Sequence, residues 1–315
     1  MNTDARIQAS SEFEKARRQA EIERLSAWLL GRDTRLLPFE AIRHNLRLQS
    51  PLYRGIQEVP LDEIVGSVGR YREMSREFLP LSDSLKERWV NVAALAQSEG
   101  WPPVELYRVG GVYFVRDGNH RVSAARQLSF PTIEGHVWEY PDDVEIGSKD
   151  SLDAVLRRYR ERVFLEKTGL GQRYPDYDIR FTTSGRYPEL QAQIEELRQK
   201  LMLIDERDVS FEEASDAWYE LVYLPSVQII RESGLLDAFP GRTEADLFAW
   251  ISLHRDRLRD GYGEYDSLAS LAQALMKGYR EKPIARVSRQ MRRLLGSDEL
   301  PPLGGLESET KDEEE

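Results

Sequence analysis

Residues 112–128, Val-Tyr-Phe-Val-Arg-Asp-Gly-Asn-His-Arg-Val-Ser-Ala-Ala-Arg-Gln-Leu, constrain the fold of this chain more than any other stretch. Tyr113, Phe114 and Val115 are aromatic or β-branched and read as a buried strand. Asp117-Gly118-Asn119 is a turn signal, because Gly accepts positive φ and Asn and Asp tolerate it. Val122, Ala125 and Leu128 then recur three apart beside Ala124, which predicts a helix with a slim apolar face. A strand, a tight turn and a helix N-terminus in succession aim free backbone N–H groups and the positive helix end at one spot. That spot suits an anion such as phosphate. Arg121, in the first turn, opposes the helix dipole unless an anion sits there. The same residues also read as a plain turn, with Asn119 as the N-cap and His120 and Arg121 in solvent.

The chain around this stretch has 315 residues, enough for two domains, and 40% hydrophobic residues, enough for a real core. It has no cysteine, which excludes disulfides, thiolate metal sites and cysteine nucleophiles. No stretch approaches the roughly 18 uninterrupted apolar residues of a membrane span, and no secretory leader is visible. A cytoplasmic home is the expectation. The net charge is −11, with six acids and one lysine in residues 307–315, so the body is acidic as well as the tail. Broad non-specific DNA binding is disfavoured by that charge. His44, His120, His136 and His254 are scattered and give no zinc pattern.

In chain order, residues 8–30 predict an amphipathic helix, and a second, short helix starts at Pro38. Residues 57–64 read as a short strand entering a helical turn. Gly66-Ser-Val-Gly69-Arg70-Tyr71-Arg72 reads as a glycine-spaced loop with two arginines. A helix over 85–98, a strand at 104–109, a Gly110-Gly111 hairpin turn and a strand over 132–139 complete a central domain. In that last strand, Glu134, His136 and Trp138 share one face, and Ile133 and Val137 share the other.

This order of elements, with the "PPVELYRV" strand, the Gly-Gly hairpin and the D-G-N-H-R helix start, resembles the ParB/sulfiredoxin-like domain. Sulfiredoxins carry G-G-C-H-R at this point and ParB proteins G-E-R-R-x-R-A. Here Asp117-Gly118-Asn119-His120-Arg121 stands in their place. Asn119 occupies the position of the sulfiredoxin nucleophile, so that reductase chemistry is excluded. His120 and Ser123 replace two ParB arginines. The second half, through Tyr223-Leu-Pro225 and the stretch from Phe239 to Phe248, resembles an uncharacterised bacterial family that joins a ParB-like domain to a helical domain.

The resemblance implies an α+β chain. A helical arm (1–50) leads into a small mixed-sheet ParB/sulfiredoxin-like domain (51–145), followed by an all-helical domain (150–296) and an acidic, disordered tail (297–315). It implies nucleotide binding, ATP or CTP with Mg²⁺, with hydrolysis or phosphoryl transfer as the enzymatic version. The alternative is a non-enzymatic regulatory, DNA-associated or scaffold module that keeps the fold. Carried over by position, Gly118, Asn119, His120 and Arg121 cradle a phosphate, Ser123 adds a hydroxyl donor, and Arg70 or Arg72 clamps the other side. Asp117 and His120 are the candidate catalytic groups, with Asp117 also the candidate Mg²⁺ ligand. A protein partner or self-association through the helical half completes the expected partners, and no membrane is expected.

In that helical half, Pro225 is expected to break the stretch over 211–230, and Thr243 to cap the next helix. His254 reads as a core-edge residue. The arginine-bearing stretch 281–295 reads as an ordinary terminal helix with solvated bases.

Overall fold

The structure is a computed structural model that describes residues 3–253 except 31–32, 97–99, 142–143, 184–185 and 240, together with Ser270. His254, the basic stretch 281–295 and the acidic tail lie outside the described residues. The chain divides into two compact units, the first ending at Leu156 and the second beginning at Arg157. No helix among the described residues is long and apolar enough to cross a membrane.

The first unit contains α1 (Thr3–Leu30), β1 (Leu37–Pro38), α2 (Phe39–Asn45), β2 (Leu52–Pro60), β3 (Ile64–Ser67), α3 (Lys86–Ala96), β4 (Val104–Val109), β5 (Val112–Asp117), α4 (Asn119–Gln127) and β6 (Thr132–Glu139). The strands form one six-stranded mixed sheet in the order β1-β3-β5-β4-β6-β2. β1, β3 and β5 run parallel, β4 pairs antiparallel with β5 through the Gly-Gly hairpin, β6 is parallel to β4, and β2 closes the order antiparallel to β6. The chain is thus α+β with a mixed sheet.

α4 is held between two apolar layers. Val122 and Ala125 enter the core formed by Val104, Leu106, Val115, Ile133 and Val137 of the sheet. Ala124 faces Trp89 of α3 and Phe13 of α1, whose rings meet edge to face at 5.7 Å. Alanines on both sides let α4 approach the sheet and α3 closely, and this fixes where its N-terminus points.

The sheet departs from the sequence expectation at β3. The glycine-spaced loop begins only after Ser67, because Gly66 lies within a strand whose four residues are all buried. A Cβ at Gly66 would lie 2.4 Å from both the Leu37 carbonyl oxygen and the Phe114 ring. Glycine here permits close strand contact, whereas its spacing from Gly69 reads as a loop in the sequence.

The second unit is helical, with α5 (Leu152–Thr168) leading in from the first, then α6 (Leu170–Arg173), α7 (Tyr187–Asp205), α8 (Phe211–Trp218), α9 (Leu224–Glu232), α10 (Leu235–Ala238) and α11 (Glu244–Leu253). Pro225 does not break the helix. A π-helical turn over Tyr219–Tyr223 joins α8 to α9, and Pro225 sits in the first turn of α9. The wider turn accommodates the missing N–H and the ring. Thr243 Oγ1 accepts from Asp246 N at 3.1 Å while the Asp246 carboxylate accepts from Thr243 N at 3.0 Å, a reciprocal cap on α11.

Candidate functional site

Gly118 takes φ +108° immediately before α4, and as a glycine it supplies no side-chain cap to the nine-residue helix. A Cβ there would lie 2.6 Å from Val104 Cγ1 and 3.1 Å from the Arg121 guanidinium, so both the backbone angle and the space demand glycine. No acidic residue lies in the first turn. The positive end of α4 therefore carries no protein counter-charge of its own.

His120, the second residue of α4, is only 5% exposed, and its Nδ1 has no hydrogen-bond partner. Burial, followed by the nearby Arg88 and Arg70 charges, pushes its pKa down from 6.5 to about 4. The imidazole is therefore neutral at physiological pH while two guanidinium groups stand near it. Arg70 follows β3 in a turn closed by Glu73 N donating to Arg70 O at 3.1 Å, and Arg88 lies in the first turn of α3. Both arginines are exposed, and Arg70 is only loosely paired with Glu73 at 3.7 Å.

Unsatisfied polar atoms gather around the same place. Arginine Nε atoms aside, the buried side-chain atoms without a hydrogen bond among the described residues are Glu73 Oε2, Asn91 Oδ1, Asn119 Oδ1 and His120 Nδ1. Asn119 adjoins His120 in sequence, Asn91 is three residues beyond Arg88 on α3, and Glu73 pairs with Arg70. Buried polar groups are normally hydrogen-bonded, so these four atoms leave hydrogen-bonding capacity unmet on the stretches that carry Arg70, Arg88 and His120.

Three sequence candidates have other duties. Arg121 donates from Nη1 to the carbonyl oxygens of Pro102 (2.7 Å) and Pro103 (3.0 Å), and from Nη2 to Asp117. It ties the approach to β4 to the Asp117–Asn119 turn, and its guanidinium is already neutralised. The expected phosphate partner thus already has an ion pair and two carbonyl acceptors within the protein. Ser123 is 3% exposed, accepts from Trp89 Nε1 at 2.8 Å and donates to Phe78 O at 2.6 Å, so it bonds into the core and is not a ligand donor. Asp117, the expected general base and Mg²⁺ ligand, has a 61% exposed side chain and gives its Oδ2 to Arg121. Among the described residues no three His, Cys, Asp or Glu converge to hold a metal.

Of the two loop arginines, Arg70 is the one near His120, whereas Arg72 turns onto the Tyr71 ring, 5.5 Å from its centroid. Arg88 is a member the sequence reading missed. The signal was available, since a cation in the first turn of α3 is the same dipole anomaly that singled out Arg121.

No family model matches the chain, and no curated protein matches it. One solved structure is similar. It is the crystal structure of sulfiredoxin from Arabidopsis thaliana, at 24% identity over 27% of this chain and 84% of that one, with a TM-score of 0.21.

Proposed function

We propose that the first unit is a ParB/sulfiredoxin-like domain that binds the phosphates of a nucleotide at the N-terminus of α4, between Arg70 and Arg88. The observation that carries this reading is His120, buried, neutral and without a partner at Nδ1, in the first turn of a helix beside two exposed guanidinium groups. A phosphate here meets the backbone N–H groups of Asn119 and His120, the positive end of α4, two arginines and an uncharged imidazole donor. The amide of Asn119, turned by half a rotation, adds an N–H donor.

The site is better fitted for binding than for turnover. Asp117 gives an oxygen to Arg121 and Glu73 pairs loosely with Arg70, so the two carboxylates nearest the site each already face an arginine. The reading we propose is therefore a nucleotide-binding regulatory module rather than an NTPase.

Calorimetric titration with ATP, CTP, GTP and inorganic pyrophosphate tests this on the wild type, Arg88→Ala and Arg70→Ala. Micromolar binding of at least one ligand is expected. Each arginine variant should weaken it by about ten- to hundredfold, the loss of one charge-assisted contact. Absence of heat with every ligand in a folded sample overturns the proposal, as does binding that both variants leave unchanged.

A further inference from the structure

The sheet has a second face that the anion site does not use. α2 covers part of it, where Phe39 stacks on Tyr107 at 4.8 Å and meets Phe114 and Tyr140, each at 5.5 Å. Beyond α2, strands β4, β6 and β2 present three cross-strand rows. Tyr53 lies opposite Trp138, which lies opposite Tyr107; Ile56 lies opposite His136, which lies opposite Glu105; and Glu58 lies opposite Glu134.

The aromatic row is preorganised. The Tyr53 hydroxyl hydrogen-bonds His136 Nδ1 at 2.7 Å, and the Tyr53 and Trp138 rings are 5.1 Å apart. The Arg116 guanidinium lies 5.2 Å from the Trp138 ring and 5.7 Å from that of Tyr107, already an example of a cation seated on this surface. Tyr53 and Ile56 remain 52% and 55% exposed.

The glutamate row carries a cost. Like charges directly opposite each other destabilise a sheet, with Cβ atoms about 5 Å apart. Glu58 and Glu134 are both exposed, and Arg116 at this face is already shared with Glu105 at 3.5 Å. Moreover, β2 ends the strand order, so β6 is its only paired strand among the described residues. The register breaks between Tyr53 and Ile56, where Gly55 takes φ +85°, and from Ile56 to Pro60 the pairing with β6 is regular.

We propose that the Ile56–Pro60 edge and the adjoining aromatic face receive an extended basic segment of a partner protein as a seventh strand. A lysine or arginine of that segment sits opposite Glu58, with an apolar side chain two residues away opposite Ile56. Charge selects this occupant. The added cation relieves the Glu58–Glu134 repulsion, whereas a nucleic acid would bring phosphates to three glutamates. A second copy of β2 is disfavoured because its cation, Arg54, lies in the bulge and is held by Glu139 at 2.7 Å.

The test uses a labelled nine-residue peptide with threonine at the odd positions and lysine and isoleucine in turn at the even ones, so that one face presents a cation and an apolar side chain two residues apart, its counterpart with glutamate for lysine, and a nine-nucleotide single-stranded DNA. Binding is read by anisotropy at low salt, with hydrogen exchange across residues 52–60. The lysine peptide alone is expected to bind and to slow exchange in β2. The Glu58→Lys/Glu134→Lys variant should weaken it at least tenfold. Asp208→Lys/Glu232→Lys, which changes net charge equally on exposed acids of the second unit, should stay within twofold. Equal losses in the two variants, equal binding of the glutamate peptide or the DNA, unchanged exchange in β2, or no binding at all would overturn the proposal. So would a dimer of the free protein by light scattering that Glu58→Lys/Glu134→Lys abolishes.

Discussion

Replacing His120 with glutamine should alter how the stability of the first unit depends on pH. The imidazole has a folded pKa of about 4 against an ordinary value of 6.5. Between those values the unfolded chain binds a proton that the folded chain refuses. The stability tied to a neutral His120 is therefore fully present above about pH 6.5 and is lost as pH falls towards 4. The full shift would amount to about 2.5 kcal/mol lost between pH 7 and pH 4.5. Burial is its largest cause and is retained in solution, but Arg70 and Arg88 are exposed and water screens their share, so about 1–1.5 kcal/mol is the expected figure. The assay is urea unfolding at pH 7.0 and 4.5, followed by hydrogen exchange across residues 112–127. The wild type should lose that much more on acidification than His120→Gln, which has no group to protonate at that position. Parallel pH profiles would refute the reasoning, because they would mean that the imidazole reaches water and titrates normally.

Three further substitutions separate structure from binding. Gly118→Ala should cost about 2 kcal/mol or more, since it combines a left-handed backbone with a Cβ placed against Val104; thermal unfolding reads this directly. Arg121→Ala should cost about 2–3 kcal/mol by releasing the Pro102 and Pro103 carbonyl oxygens, yet lower pyrophosphate affinity less than Arg88→Ala does in parallel calorimetry at a temperature where both are folded. Ser123→Ala should cost about 2–3 kcal/mol by leaving Trp89 Nε1 and Phe78 O unsatisfied, with pyrophosphate affinity unchanged within twofold.

Local chemistry made much of the first unit legible. The Gly110-Gly111 hairpin, β5, the turn at Gly118 and the alanine face of α4 each announce themselves within a few residues. β1 and β3 did not, because Gly66 carries no local sign that it sits between the Leu37 carbonyl and the Phe114 ring. Parallel pairing of that kind joins residues far apart in sequence. The candidate site shows the same division. The turn and helix start were readable, but the partners that occupy Arg121 lie 18 and 19 residues away, and the carbonyl that takes the Ser123 proton lies 45 residues away. A side chain's free valence depends on such remote contacts. For the same reason His120, read as either a ligand or a solvated residue, emerged as buried with no partner at Nδ1, and Arg88 joined the site from α3.

The most direct test of the anion site is the titration of the His120 ring by NMR, with and without saturating inorganic pyrophosphate, assigned by loss of its signal in His120→Gln. Without ligand the ring should stay neutral down to about pH 4. With pyrophosphate bound, the added negative charge favours the imidazolium and should raise the midpoint by at least one unit. An unchanged midpoint under conditions where pyrophosphate is bound would place the anion elsewhere and contradict the account.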